Sequence, residues 1–119
     1  MKNINEYEEI INGSREFDKA IDNWTMYKAY EQNKVANNER LNISDVFGEE
    51  DVRQIAETVR RLGIAEFSIS FETLSLIRII AAFEEMGIKF QGVIKVNSRY
   101  RAFNSDKFEV IPAFLMKVM

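Results

Sequence analysis

Few residues in this sequence can do acid–base or nucleophilic chemistry. The chain has 119 residues with no His and no Cys. That removes histidine bases, thiolate nucleophiles, Cys/His zinc sites and disulfides. Ser98 and Lys95 form the one conceivable serine–lysine pair, and the polar run around them reads more simply as a solvated turn. Glu49, Glu50 and Asp51, with Asp45 nearby, are the densest carboxylates. Carboxylate oxygens could hold Mg²⁺. Adjacent residues on a helix point different ways, however, so this run reads as the acidic first turn of a helix. The alternating acids of a calcium loop are missing, and the isolated glycines make no phosphate-binding loop. The expectation is a protein that is not an enzyme and uses no metal or cofactor.

Binding chemistry is better represented. From Asn97 to Lys107, Arg99 and Arg101 flank Tyr100, with Phe103 and Lys107 close by. Arginine pairs with phosphate and aromatic rings stack on unpaired bases, so a hairpin tip of this kind could touch RNA or a single strand. Tyr and Arg could equally anchor a protein partner. Asp18, Asp22 and Glu31 would give an earlier helix an anionic face, and Glu49, Glu50 and Asp51 extend the acidic set. Such a face can compete for a basic nucleic-acid groove. Trp24, Tyr27 and Tyr30 follow at three-residue steps, which favours a core position over a contact surface.

These residues need elements to hold them. Asn5 and Glu8 form a capping-box pair for a short helix that ends at Asn12-Gly13. Phe17, Ile21, Trp24, Tyr27, Tyr30 and Val35 recur at helical steps, and Asn37-Asn38 stops that second helix. Leu41 to Gly48 is a connector with Leu41, Ile43, Val46 and Phe47 pinned to the core. Val52, Ile55, Ala56, Val59 and Leu62 make the buried stripe of a third helix that begins at Glu49 and ends at Gly63. Ala65 to Ser70 alternates as a strand, with Phe67, Ile69 and Phe71 inward. A fourth helix, capped by Ser70 or Thr73, is apolar on more than one face from Leu74 to Phe83, which predicts burial on most sides. Gly87 ends it. Ile88 to Asn97 is a strand with Ile88, Phe90, Ile94 and Val96 on one face, and Gly92 marks a bulge. Phe108 to Val118 is the last strand, where Pro112 demands an edge or a bulge.

The pattern predicts a single α+β domain over 1–119, with a short N-terminal helix over 1–13. About four helices pack on a three-stranded mixed sheet in two layers, in the order α-α-α-β-α-β-β with a C-terminal β-hairpin. Either the second strand is central or the third slips between the other two. Net charge is −3, and its distribution is uneven. Residues 1–57 hold 13 acids and 7 bases, whereas residues 58–119 hold 6 acids and 9 bases. That asymmetry can steer binding to a charged partner. The run Leu76 to Phe83 is far short of the ~20 residues that span a bilayer, and Met1 to Glu6 starts no signal peptide. A cytoplasmic protein without a membrane partner is expected.

From Trp24 onward the sequence resembles a small family associated with plasmids and conjugative elements of Gram-positive bacteria. The residues that carry this are Trp24 with Tyr27 or Tyr30, Gly63 to Ser70, Ala82 to Gly87, Val96 to Tyr100, and Ile111-Pro112-Ala113. The resemblance implies a setting, accessory genes of mobile elements, in which small proteins without catalytic motifs include anti-CRISPR inhibitors. It assigns no functional residue. The resulting expectation is a non-enzymatic binding protein that occludes a nucleic-acid-binding surface of a defence nuclease such as Cas9. Arg99, Tyr100, Arg101 and Lys107 are its basic candidates. Asp18, Asp22, Glu31, Glu49, Glu50 and Asp51 are its acidic ones. The alternatives are an RNA- or single-strand-binding accessory protein, and a homodimer joined through a free sheet edge.

Overall fold

Glycines at positive φ close two of the helices as the sequence leads one to expect. Gly63 has φ 71° and Gly87 has φ 79°, a region that disfavours any residue with a Cβ. In the computed structural model, which describes residues 24–36, 38–101 and 106–119, the elements run in chain order as follows. Helix α1 is Trp24–Ala36 and strand β1 is Leu41–Ile43. A 3₁₀ turn, Glu49–Asp51, leads into α2, Val52–Arg61, and then comes β2, Glu66–Ile69. Helix α3 is Leu76–Glu85, followed by β3, Ile88–Arg101, and β4, Phe108–Val118. The expected helix over 1–13 and the start of the second helix lie outside the described residues.

The class is α+β, with a mixed sheet of four described strands in the order β1-β2-β4-β3. The last strand does slip between the other two expected strands. It pairs antiparallel with both β2 and β3. Strand β1, expected only as a connector, lies parallel to β2, with Leu41 opposite Phe67 and Ile43 opposite Ile69. Its three residues are all buried, and Leu-Asn-Ile is too short a stretch for its alternation to mark a strand. Leu41, Ile43 and Phe47 join the core as expected, but Val46 is exposed.

One hydrophobic core unites α1, α2, α3 and one face of the sheet. Val52, Ile55, Ala56, Val59 and Leu62 of the α2 stripe are all buried, as are Phe67, Ile69 and Phe71. Phe67 meets Phe83 of α3 edge-on, with ring centroids 5.6 Å apart. Phe47 meets Phe71 in the same way at 4.9 Å. Each such pair adds about 0.5–1.5 kcal/mol beyond its buried area. Tyr30 is buried and Tyr27 packs against this core, so both are core residues rather than contacts.

Helix α3 departs from expectation. Ile79 and Phe83 are its fully buried residues, while Leu74 and Ile77 beside them are 107 % and 84 % exposed. Apolar composition all round reads as burial on all sides, but α3 covers the core with one stripe only. The helix also begins later than expected, after a turn in which Leu76 N–H donates to the Thr73 carbonyl at 3.2 Å.

Strand β3 carries a bulge at the expected place. Phe90 faces Met116 and Gly92 faces Leu115, so β3 has one residue more than β4 there. The extra residue reverses the alternation. Ile94 and Val96 therefore lie on the opposite face from Ile88 and Phe90, not on the same face as a regular strand would place them.

Pro112 lies on the central strand β4, yet it breaks no ladder. Ile69 pairs with Phe114, and β2 stops there, so residues 108–113 of β4 have only β3 beside them. Val118 N–H donates across to Ala65. Alternation from Val118 through Phe114 then turns the backbone groups of Pro112 toward the side β2 has vacated. The missing N–H falls on an edge, where it costs nothing.

Candidate binding surface

The outer half of the β3–β4 hairpin projects past the ends of β1 and β2 as a two-stranded arm. Its rungs run from Val93 opposite Phe114 to Arg101 opposite Phe108, with a further register shift between Asn97 and Arg101. Arg99, Tyr100 and Arg101 are residues of β3, not of a loop, because the strand runs on through an irregularity over 98–100 and the ladder resumes at Arg101 opposite Phe108. The expected excursion from Ser98 to Lys107 thus shrinks to a short connection, of which residues 102–105 lie outside the described set.

The arm brings Tyr100, Arg101 and Lys107 together near its tip. Tyr100 is 59 % exposed. The Arg101 guanidinium lies 4.2 Å from the centroid of the Phe108 ring and also donates to the Asp106 carbonyl. A guanidinium over an aromatic face is held by the ring quadrupole, which fixes where the charge points. Lys107 is exposed beside it. Below the tip, Val93 and Val110 are 62 % and 56 % exposed, and Phe90 is exposed with its ring edge-on to Phe114 at 5.1 Å. Regular alternation does not foretell this apolar face, because the bulge brings Val93 onto the face of Phe90.

Among the described residues the acidic candidates do not join the arm, and they fall on two separate elements. Glu31 is exposed on α1, whereas Glu49 and Glu50 are exposed on the 3₁₀ turn before α2. Asp51 is a cap: Gly48 N–H donates to its carboxylate at 3.1 Å, and Asp51 N–H donates back to the Gly48 carbonyl at 3.0 Å. Asp18 and Asp22 lie outside the described residues. Among the described residues no three Asp, Glu, His or Cys side chains are placed to hold a metal ion. No helix among them is long and apolar enough to cross a membrane.

Asparagines secure the base of the arm. Asn38 Nδ2 donates to the Asn97 carbonyl at 2.8 Å, and Asn97 N–H donates to Asn38 Oδ1 at 2.9 Å. Both backbone groups of Asn97 therefore point away from β4, and one side chain takes the place of a neighbouring strand. Asn97 Nδ2 also donates to the Ala36 carbonyl at the end of α1, at 3.1 Å. On the other side of the sheet, Ser70 N–H donates to the Ile43 carbonyl at 3.0 Å, so the Asn42 carbonyl points outward from β1. Asn33 of α1 donates to it at 2.7 Å. Asn38 Nδ2 also donates to Asn33 Oδ1, at 3.0 Å. Helix α1, through Asn33, and Asn38 beyond its end thus engage both edge strands.

A polar cleft of about 290 Å³ lies beyond the ends of β1 and β2. Asn38, Asn42, Ser70, Asn97 and Tyr100 are among its walls. Its amides are occupied with one another: Ser68 Oγ donates to Asn42 Oδ1 at 2.7 Å, and Asn42 Nδ2 donates to Ser70 Oγ at 2.9 Å. Satisfied buried amides make a rigid frame rather than a reactive site. At the far end of the hairpin, Glu84 holds the turn around Gly87. Phe90 N–H donates to its Oε1 at 3.0 Å, and Lys89 Nζ lies 3.1 Å from its Oε2. The backbone donor, followed by Lys89, lowers the Glu84 pKa below the ordinary carboxylate value.

The chain matches no curated protein and no solved structure. A family model described as "Domain of unknown function (DUF7698)" matches residues 25–118. That span holds every described strand and helix apart from Trp24, and the chain accordingly belongs to the DUF7698 domain family.

Proposed function

We propose that this chain is a non-enzymatic binding protein whose contact surface is the β3–β4 arm. The observation that carries this reading is the exposure of Val93 and Val110 on rungs of a hydrogen-bonded ladder, with Tyr100 exposed in the irregular stretch just before its last rung. Residues already ordered lose little entropy on binding, and exposed Tyr and Arg make effective anchors. In the mobile-element setting that the resemblance implies, the partner is a defence nuclease such as Cas9, and the arm covers part of its nucleic-acid-binding surface. The anti-CRISPR reading is tested by target-DNA cleavage with purified Cas9–guide RNA complex, with and without this protein. Inhibition is expected, and Tyr100→Ala with Val93→Arg removes it while leaving the circular dichroism spectrum unchanged. Undiminished cleavage across Cas9 types from Gram-positive hosts overturns it.

A second reading rests on the exposed Tyr100 ring and on the Arg101 guanidinium held over Phe108 near the same tip, which suit stacking with an unpaired base and pairing with a phosphate. On this reading a labelled single-stranded RNA binds, its affinity falls steeply with added salt, and Arg101→Ala with Lys107→Ala weakens it. The third reading, a dimer through a free sheet edge, is disfavoured by the devices on those edges. Asn33 engages the outer edge of β1, Asn38 occupies β3 at Asn97, and Pro112 blunts the open stretch of β4.

A further inference from the structure

Leu74, in the turn before α3, and Ile77, in its first turn, are among the most exposed apolar side chains of the described residues. Two exposed aliphatics three residues apart are unusual without a covering partner. A groove of about 360 Å³ opens beside them, floored by Pro112 and Phe114 of β4 and walled by Phe71 and Leu76. The patch thus has protruding side chains and a recess next to one another. Its two flanks carry opposite charges. Glu72 precedes the stripe and Arg78 follows it, both are exposed, and neither has an ion-pair partner among the described residues.

The geometry points to a homodimer in which two copies of this chain meet through the Leu74–Ile77 stripe, related by a twofold axis near Ser75. The charge arrangement selects a second copy over other occupants. Antiparallel apposition about a twofold brings Glu72 of each copy to Arg78 of the other, because the two residues are equally spaced about Ser75. The same operation lays Leu74 of one copy toward Ile77 and the recess of its partner. Leu74 and Ile77 lie outside the β3–β4 arm, which lends only its base, Pro112 and Phe114, to the recess; the dimer would thus leave the Tyr100 end of both arms free, and its failure would leave the binding reading untouched.

The test is sedimentation equilibrium of the full chain from micromolar to millimolar concentration. A reversible dimer is expected. Leu74→Glu and Ile77→Glu place charge in the stripe, and each should raise the dissociation constant about tenfold or more. Both sites are exposed, so the fold persists, as circular dichroism would verify. Glu72→Arg and Arg78→Glu each weaken the dimer about three- to tenfold through like-charge contact, and the double reversal Glu72→Arg/Arg78→Glu restores it. A monomer throughout that range overturns the proposal. So does a dimer indifferent to Leu74→Glu, or one that the double reversal fails to restore.

Discussion

The side chain of Asn38 does the work of a strand residue. It offers one donor and one acceptor to Asn97 at the spacing a neighbouring backbone would use, and its second N–H reaches Asn33. Truncation at this site strands buried groups on two elements, each at about 1–3 kcal/mol. Asn38→Ala should therefore lower the urea midpoint markedly, and Asn38→Asp should lower it further, because a carboxylate offers acceptors to the Asn97 carbonyl and to Asn33 Oδ1. An equal effect of the two variants would refute the hydrogen-bond account. Glu84 gives a pH-dependent counterpart. Its pKa is lowered in the folded state, so its stabilisation is complete above the unfolded value of about 4.3 and is lost as pH falls through the lowered one. In Glu84→Gln, stability should decline less between neutral and acidic pH than in the parent, measured as the urea midpoint at each pH. None of the asparagine frame was legible in the sequence. Asn33, Asn38, Asn42 and Asn97 are polar residues of turn-like type, and only their partners in space make them interior residues.

Helices and strands were legible where one face alone meets the core. The stripe of α2 and the alternation of β2 follow that rule, and so do the glycines at 63 and 87. Gly87→Ala tests one of them. Its φ of 79° disfavours any Cβ, and that Cβ would stand 3.2 Å from Arg60 Nη2. A loss of about 1–2 kcal/mol is expected from chemical unfolding. Legibility failed where burial is not one-sided. Strand β1 is buried on both faces and has only three residues, too few for their alternation to mark it. Helix α3 is apolar beyond its buried stripe, so it shows too much. In β3 a single extra residue at the bulge exchanged the faces of Ile94 and Val96 relative to Phe90. Pro112 illustrates the positional meaning of a residue type: it marks an edge on a strand that is central elsewhere. Pro112→Thr should preserve the fold while restoring a donor to that edge, and static light scattering should then report more association.

At the scale of the molecule, the described residues present a guarded sheet and open surfaces that include the β3–β4 arm and the start of α3. Variants at Tyr100 or Arg101, near the tip of the arm, should alter partner binding alone, whereas variants at Leu74 or Ile77 should alter self-association alone. A shared loss of both properties would mean that the two surfaces are one. The sequence showed the charge segregation but not its arrangement, because the acids at Glu31 and at Glu49 to Asp51 sit on separate elements. The strand order has a further consequence, in time. Strand β4 is the last of the four described strands in chain order, yet it lies between β2 and β3 and is hydrogen-bonded to both. While the chain is being synthesised, β2 and β3 are exposed to solvent with no strand to join them to each other. Chains arrested before residue 108 should therefore engage chaperones or proteases, and native structure should appear only after the final strand has left the ribosome.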